Sequence, residues 1–565
     1  MDRPWFSSYD PEVARTVTIP DIRITDLLAE AVRKRPQSPA IIFCGRVISY
    51  GELDILVNRL AGALHRLGVR KGDRVALVLP NIPQYVIGYW AALRLGGIVV
   101  PTNPLYTERE LEHQLRDSGA ETVLVLDAIS PRLTALLPRL AIKHVIATSV
   151  KDFLPPGLKL LFSLRQLRKG VRVLAGERVQ DFMTLLAQGE ATPPKVEMKP
   201  EETAVLLYTG GTTGLAKGAE LTHSNLVANV LQARQWVWDI KDGEEVILTA
   251  IPLFHSYAMT ACHHLAVQSS SAMVLVPRFD PLQVMKAIHR YRVTIFPGVP
   301  TMYVAINHHP RVRRFNLGSV RVCISGGAPL PVEVQTRFEQ LTHGKLVEGY
   351  GLSECSPVTH CNPIYGKRKV GSIGVPWPGT DARIVDVETR APLPVGEVGE
   401  LMVRGPQVMR GYWRNQEETA EAFHEGWLAT GDIARMDEDG FFYIVDRKKD
   451  MIVTGGLNVY PREVEEVLYE HPCIKEVAAV GVPDEYYGER VKVFVVPHEG
   501  ATLTAEDVIS FCQERLARYK IPKEVEFRDC LPKSLIGKVL RRVLVEQHLA
   551  TQPGAQGQKK MEGKS

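Results

Sequence analysis

Short apolar runs rich in β-branched residues recur along the chain, at Val75–Leu79, Thr122–Leu126, Ala204–Tyr208, Met273–Val276, Val293–Phe296 and Val320–Ile324. Their length and their turn-forming flanks predict strands buried on both faces. Asn225–Trp238 and Leu282–Tyr291 fit the helical period instead. Strands alternating with helices predict an α/β fold whose large, multi-layer N-terminal domain has mainly parallel sheets. The most apolar region, Val75 to Val100, is broken by Pro80, Pro83 and Arg94. It reads as a strand, a turn and a buried helix rather than as a membrane span, which needs roughly 18 or more unbroken apolar residues.

The pattern changes at Asp446-Arg447-Lys448-Lys449-Asp450, a fully charged run between two apolar strands. A domain boundary is expected there, with residues 1–446 before it and a small α+β domain, 447–550, after it. Pro461 suits a first helical position, and Val464, Val467 and Leu468 follow at helical spacing. Residues 551–565, rich in Gly, Gln and Lys, are expected to be a disordered tail.

A chain of 565 residues exceeds what one core supports, about 250–300 residues, which agrees with two domains. The formal net charge is only +4, which argues against a nucleic-acid binder. The 8 cysteines are scattered without a C-x-x-C pair, so neither a zinc site nor a disulfide framework is indicated, and a reduced, cytoplasmic chain is expected. Residues 1–10 lack the apolar run of a secretory signal.

The candidate chemistry begins where Ala204–Tyr208 runs into Thr209-Gly210-Gly211-Thr212-Thr213-Gly214-Leu215-Ala216-Lys217-Gly218. Glycines let successive backbone N–H groups face one anion; three threonine hydroxyls and Lys217 add donors and charge. That composition suits a polyphosphate. It is not a Walker A loop, because no Gly-Lys-Ser/Thr closes it. A glycine-rich turn without a ligand is the plainer alternative for such a loop taken alone.

The loop, with Glu220-Leu221-Thr222-His223 after it, resembles the core phosphate motif of the acyl-adenylate-forming superfamily, which includes acyl-CoA synthetases, luciferases and adenylation domains of peptide synthetases. Further motifs follow in the superfamily's order, from about Thr25 to Arg542. The resemblance implies ATP, Mg²⁺ and, as co-substrate, CoA. Glu348-Gly349-Tyr350-Gly351-Leu352-Ser353-Glu354 resembles the second motif. By that resemblance Tyr350 stacks on adenine, and Glu354 holds Mg²⁺ together with the Thr209 hydroxyl. Ser353 stands where threonine is commoner and keeps a hydroxyl. Ser325-Gly326-Gly327-Ala328-Pro329 resembles the adenine-binding turn. Asp432 matches the ribose-binding aspartate, Arg447 a second ribose contact and Lys449 the hinge position. Lys538, in Leu531-Pro532-Lys533-Ser534-Leu535-Ile536-Gly537-Lys538, matches the catalytic lysine, and Gly455 and Gly456 the lining of the CoA channel. Pro252-Leu253-Phe254-His255-Ser256 resembles the mouth of the acyl pocket, where His255 closes the carboxylate end. The reaction so implied activates a carboxylic acid as acyl-AMP and transfers the acyl group to a thiol after rotation of the C-terminal domain.

Longer stretches resemble bacterial long-chain fatty acid–CoA ligases: Asn103-Pro104-Leu105-Tyr106-Thr107, Gly405-Pro406-Gln407-Val408-Met409 and Tyr460-Pro461-Arg462-Glu463-Val464. Met259 aligns with a tryptophan gate of the acyl tunnel in a long-chain relative. After Pro155-Pro156, the residues Leu160, Leu161, Leu164, Leu167 and Val171 recur at helical spacing among Lys159, Arg165, Arg168, Lys169 and Arg172. An ordinary amphipathic surface helix is the plainer reading. The other is an interfacial helix on anionic lipid, placing the chain peripherally at the inner face of a membrane. Medium-chain or aryl acids, a carrier protein in place of CoA, a luciferase-like oxidation and a non-catalytic lipid-binding scaffold remain alternatives. Oligomeric state, a homodimer included, stays open.

Overall fold

The structure, a computed structural model, describes residues 3–168, 178–192, 194–209, 216–454, 457–484, 487–533 and 539–551. The chain forms two compact units. The first comprises Met1–Ala382, Val403–Leu428 and Asp439–Phe441; the second comprises Arg383–Met402, Ala429–Glu438 and Phe442–Ser565. The continuous part of the second unit thus starts a few residues before the charged run. Of the expected tail, residues 552–565 lie outside the described residues, and Thr551 closes the helix Arg541–Thr551.

In the first unit, parallel strands Ile98–Pro101, Arg74–Val78, Thr122–Leu126, His144–Thr148 and Val179–Asp181 lie side by side. The strand Thr203–Thr209 joins them in parallel, and there the sheet turns antiparallel through Lys217–Thr222 and Gly411–Tyr412. Val75–Val100 contains the expected strand and helix, Arg74–Val78 and Pro83–Arg94, with Pro83 in the first turn where its missing N–H costs nothing. It also supplies a second strand, Ile98–Pro101, buried at every position. Another sheet carries Val246–Thr249 beside Ala272–Leu275, and a further one carries Val322–Ser325 beside Lys345–Gly351. Ile295 bridges the two through Ile247 and Val322, so the expected strand Val293–Phe296 is present as a single bridge. The expected helices are His223–Trp236 and Pro281–Tyr291. The whole is mixed α/β.

The second unit is built on two long antiparallel strands, Ile474–Asp484 and Gly488–Pro497, with Glu524–Phe527 parallel beside the latter. Successive side chains alternate between faces. Val477, Ala479, Val491, Val493 and Val495 pack with Val464, Leu468 and Val508 of the helices Pro461–Tyr469 and Ala505–Gln513. Ala478, Val480, Val482, Phe494 and Val496 pack on the other face with Leu531 and Leu544. Among the described residues no helix is long and apolar enough to cross a membrane.

Candidate active site

The antiparallel end of the large sheet delivers the first group of candidate residues. Thr209 ends its strand and Lys217 opens the next, paired with each other in register. Gly210, Gly211, Thr212, Thr213 and Gly214, between them, lie outside the described residues. Gly218 packs closely on its neighbour: a Cβ there would sit 3.1 Å from the Tyr208 ring. Tyr208 donates its hydroxyl to Asp117 at 2.6 Å, and the Ala216 carbonyl lies 2.8 Å from His113 Nε2, so both edges of the loop are tied to the helix Glu108–Ser118.

Glu354 reaches the same place from the far side of the sequence. Its Oε1 accepts from Thr209 Oγ1 at 3.4 Å and from the Tyr412 hydroxyl at 3.0 Å. Its own carbonyl accepts from the Met409 N–H at 2.7 Å. Lys217 forms an ion pair with Glu418, and its ammonium lies 5.5 Å from the centre of the Tyr412 ring. The positive charge of Lys217 is therefore held against a carboxylate. Tyr412 and Glu418 are functional candidates that the sequence reading missed. Arg410-Gly411-Tyr412-Trp413 carries an aromatic pair in an otherwise polar stretch, the one cue available.

A second group sits where Val322–Ser325 and Lys345–Gly351 end side by side, with Ser325 opposite Glu348. Ligand sites in α/β sheets gather at such carboxyl ends. The turn after Ser325 has Gly327 at φ +81°, and a Cβ on Gly326 would meet the Tyr257 ring at 3.2 Å. Ala328 follows in that turn. Glu348 Oε2 accepts from the Leu330 N–H at 3.1 Å and so fixes the turn. Gly351 has no room for a side chain, because its Cβ would lie 2.0 Å from the Pro357 carbonyl. Gly349 is close to Ile324. The Tyr350 ring lies 5.9 Å from that of His360 in an edge-on contact. Ser353 Oγ is 3.2 Å from Ser256 Oγ, which links this group to the candidate acyl mouth.

At that mouth His255 precedes the helical turn Ser256–Ala258, and its Nδ1 accepts from the Tyr257 N–H at 3.2 Å. Burial pushes its imidazole down to about 4. Tyr257 donates to the Ile324 carbonyl at 2.6 Å. Met259 is fully buried and opens a π-helical segment, Met259–His264, a widening that is frequent at functional sites.

The second unit carries its own candidates. Asp432 is buried, faces Arg447 across a strand pair, and binds its guanidinium at 3.1 Å. Asp446 accepts from the N–H groups of Arg447 and Arg462, each at 2.7 Å, and burial pushes its carboxyl up to about 6. Lys448 donates its N–H to Gly431 and its ammonium to Glu400, both at 3.0 Å. Lys449 is exposed in the turn that the Asp450 N–H closes onto the Arg447 carbonyl. Arg541 holds both oxygens of Glu465, at 2.8 and 2.7 Å, and Asp450 at 3.1 Å. Gly455, Gly456 and Lys538 lie outside the described residues.

Known proteins resemble this chain over most of its length. Residues 28–413 match the AMP-binding enzyme family, and residues 463–538 match the AMP-binding enzyme C-terminal domain. The chain belongs to the AMP-binding enzyme family. It is 46% identical over 550 residues to a long-chain-fatty-acid–CoA ligase of Bacillus subtilis (strain 168), covering 96% of this chain and 98% of that one. A long-chain-fatty-acid–CoA ligase of Escherichia coli O6:H1 is 41% identical over 556 residues, covering 97% of this chain and 98% of that one. Among solved structures, ATP-bound MatB from Rhodopseudomonas palustris superposes with a TM-score of 0.82 at 31% identity, covering 93% of this chain and 99% of that one.

Proposed function

We propose that the chain is an ATP-dependent long-chain fatty acid–CoA ligase, which converts fatty acid and ATP to acyl-AMP and pyrophosphate and then transfers the acyl group to the CoA thiol with release of AMP. The observation that carries the reading is the convergence of Thr209, Lys217 and Glu354 beside a polyphosphate-type loop, in a chain that matches 98% of each of the two ligases it resembles. A carboxylate among phosphates needs a cation between them. Glu354 and the Thr209 hydroxyl are hard oxygen donors of the kind Mg²⁺ takes, and no cluster of three or more His, Cys, Asp or Glu among the described residues offers a self-sufficient cage. They fit an ion that brings phosphate and water ligands with it. When bound, Mg²⁺ would neutralise charge on the nucleotide. Lys217 would exchange Glu418 for phosphate oxygens. Asp432 would accept from the ribose hydroxyls, Arg447 would hold it for them, and Tyr350 would stack on adenine. The Gly326–Ala328 turn would line the adenine site. Lys449 is assigned to the hinge, Gly455 and Gly456 to the thiol channel, and His255 and Met259 to the acyl pocket.

The reading is tested by AMP release. With oleate, release should require CoA and should rise along a series of acids from hexanoate to stearate. Acid-dependent release without CoA would favour a carrier-loading enzyme, and a maximum at hexanoate or an aryl acid would remove the long-chain assignment.

A specific observation favours peripheral membrane contact as well. On the helix Pro156–Arg168, Leu158, Leu160, Leu161 and Leu164 are 45%, 65%, 64% and 52% exposed. The exposed Lys159 lies among them, which suits an anionic lipid surface. Val171 and Arg172 lie outside the described residues. Co-sedimentation with liposomes should increase with anionic lipid content, and Leu160→Asp with Leu161→Asp should weaken it by at least ~10-fold, since each buried leucine contributes about 1.5–3 kcal/mol. Binding indifferent to lipid charge and to both substitutions would leave only an ordinary surface helix.

A further inference from the structure

Tyr412 is fixed unusually well for a residue at the end of a two-residue strand. Its strand, Gly411–Tyr412, pairs with Ala219–Glu220. On either side, the Arg410 N–H donates to the Glu220 carbonyl at 3.0 Å and the Trp413 N–H to the Gly218 carbonyl at 2.8 Å. The Tyr412 N–H itself donates to Thr419 Oγ1 at 2.9 Å. The helix Gln416–Ala422 that carries Thr419 and Glu418 is capped by the Asn415 side chain on the Glu418 N–H. These bonds fix the Tyr412 backbone, and with it the point from which the ring projects.

From that position the side chain meets both charged groups of the candidate phosphate site. Its hydroxyl donates to Glu354 Oε1 at 3.0 Å, and its face lies 5.5 Å from the Lys217 ammonium. Among the described residues, the other side-chain hydrogen bond that orients Glu354 is the longer, 3.4 Å one from Thr209.

We propose that Tyr412 is a positioning residue for nucleotide-bound metal: its hydroxyl holds the Glu354 carboxylate in place before the metal–nucleotide complex arrives, while its ring keeps Lys217 beside Glu418. The inference rests on the assignment of Glu354 to Mg²⁺. Pre-orientation removes the cost of ordering a carboxylate on binding, so its loss should weaken metal binding more than it slows a fully loaded site.

Tyr412→Phe separates the two contacts, because it deletes the hydroxyl and keeps the ring. The Mg²⁺ concentration for half-maximal pyrophosphate exchange should rise by about tenfold, the scale of a hydrogen bond to a charged group. The rate at saturating Mg²⁺ should fall far less. A readout without turnover is the electron paramagnetic resonance signal of Mn²⁺ bound to a non-hydrolysable ATP analogue, which should broaden as wild-type chain is added and need about tenfold more chain in the variant. In a Glu354→Gln background, Tyr412→Phe should add little further loss, whereas a merely structural role would add its full effect. If Glu354→Gln titrates the Mn²⁺ signal as wild type does, the metal assignment of Glu354 falls. If Glu354→Gln needs more chain while Tyr412→Phe titrates as wild type does, the metal assignment stands and the role of Tyr412 falls. A variant that loses rate at saturating Mg²⁺ with unchanged metal dependence would also overturn it.

Discussion

Replacing Lys538 by alanine should lower acyl-adenylate formation by at least ~10²-fold, the usual loss for a donor that acts in the transition state, while thioester formation from supplied acyl-AMP should fall much less. The physical reason is electrostatic. A carboxylate must approach the α-phosphate of a triphosphate, and two anions repel. An ammonium between them offsets charge on both as the bond forms. In the second half-reaction the attacking group is a thiol and the leaving group AMP, so that repulsion is gone. The described residues on either side of Lys538 are well fixed. Lys533 bridges Val539, and the Leu540 N–H donates to the Pro532 carbonyl at 2.8 Å. Lys533 also holds Glu476 at 2.7 Å, and Leu531 and Leu544 are buried in one cluster. The alanine change should therefore leave the fold alone, which a melting curve would check. Equal loss in both half-reactions would remove the assignment.

Lys449→Pro should give the opposite split. Pyrophosphate exchange should stay largely intact, and acyl-CoA formation should fall by ~10²-fold or more, about 2.7 kcal/mol on the barrier. Lys449 is the third residue of the turn closed by the Asp450 N–H on the Arg447 carbonyl. Proline there fixes φ and drives the preceding Lys448 out of the helical region. Lys448 is tied by Gly431 and Glu400, and Asp450 by Arg541, so a change of turn cannot spread freely along the chain. A segment that must change its backbone angles between half-reactions would be arrested, at a cost comparable with the ~3 kcal/mol of a misplaced proline. Unchanged overall turnover would count against motion at Lys449. The two variants together distinguish the chemical and conformational roles of the second unit, because each spares the step the other impairs.

Local signals in the sequence were strong where the local environment sets the structure. Thr122–Leu126 is a strand at the expected residues, and Pro461 opens its helix as expected. Val293–Phe296 has the same composition as its neighbours but supplies only the bridge at Ile295, because strand formation there depends on partners rather than on propensity. The second strand in Val75–Val100 was missed because Ile98–Pro101 offers three β-branched residues between Gly97 and a proline, a run short enough to pass for the end of the preceding helix. The π-helical turn at Met259–His264 left no trace, since all its residues are buried and no polar face marks the helical period. The site divides in the same way. The phosphate loop and Glu354 were legible as motifs. Tyr412 lies 58 positions from Glu354, and Glu418 is brought to Lys217 only by the closing strand Gly411–Tyr412. No spacing rule connects such residues.

His255 gains a definite character from its surroundings. With its pKa near 4 the ring is neutral at ordinary pH, and its Nδ1 lone pair is already engaged by the Tyr257 N–H. The proton therefore resides on Nε2, which fixes one tautomer. Such an imidazole is a poor general base toward a carboxylic acid, whose own proton is gone before this ring could take it. It offers instead a directed N–H that survives every change of pH the cell imposes, a neutral donor able to orient an anion without adding a charge that would later have to be released with the product.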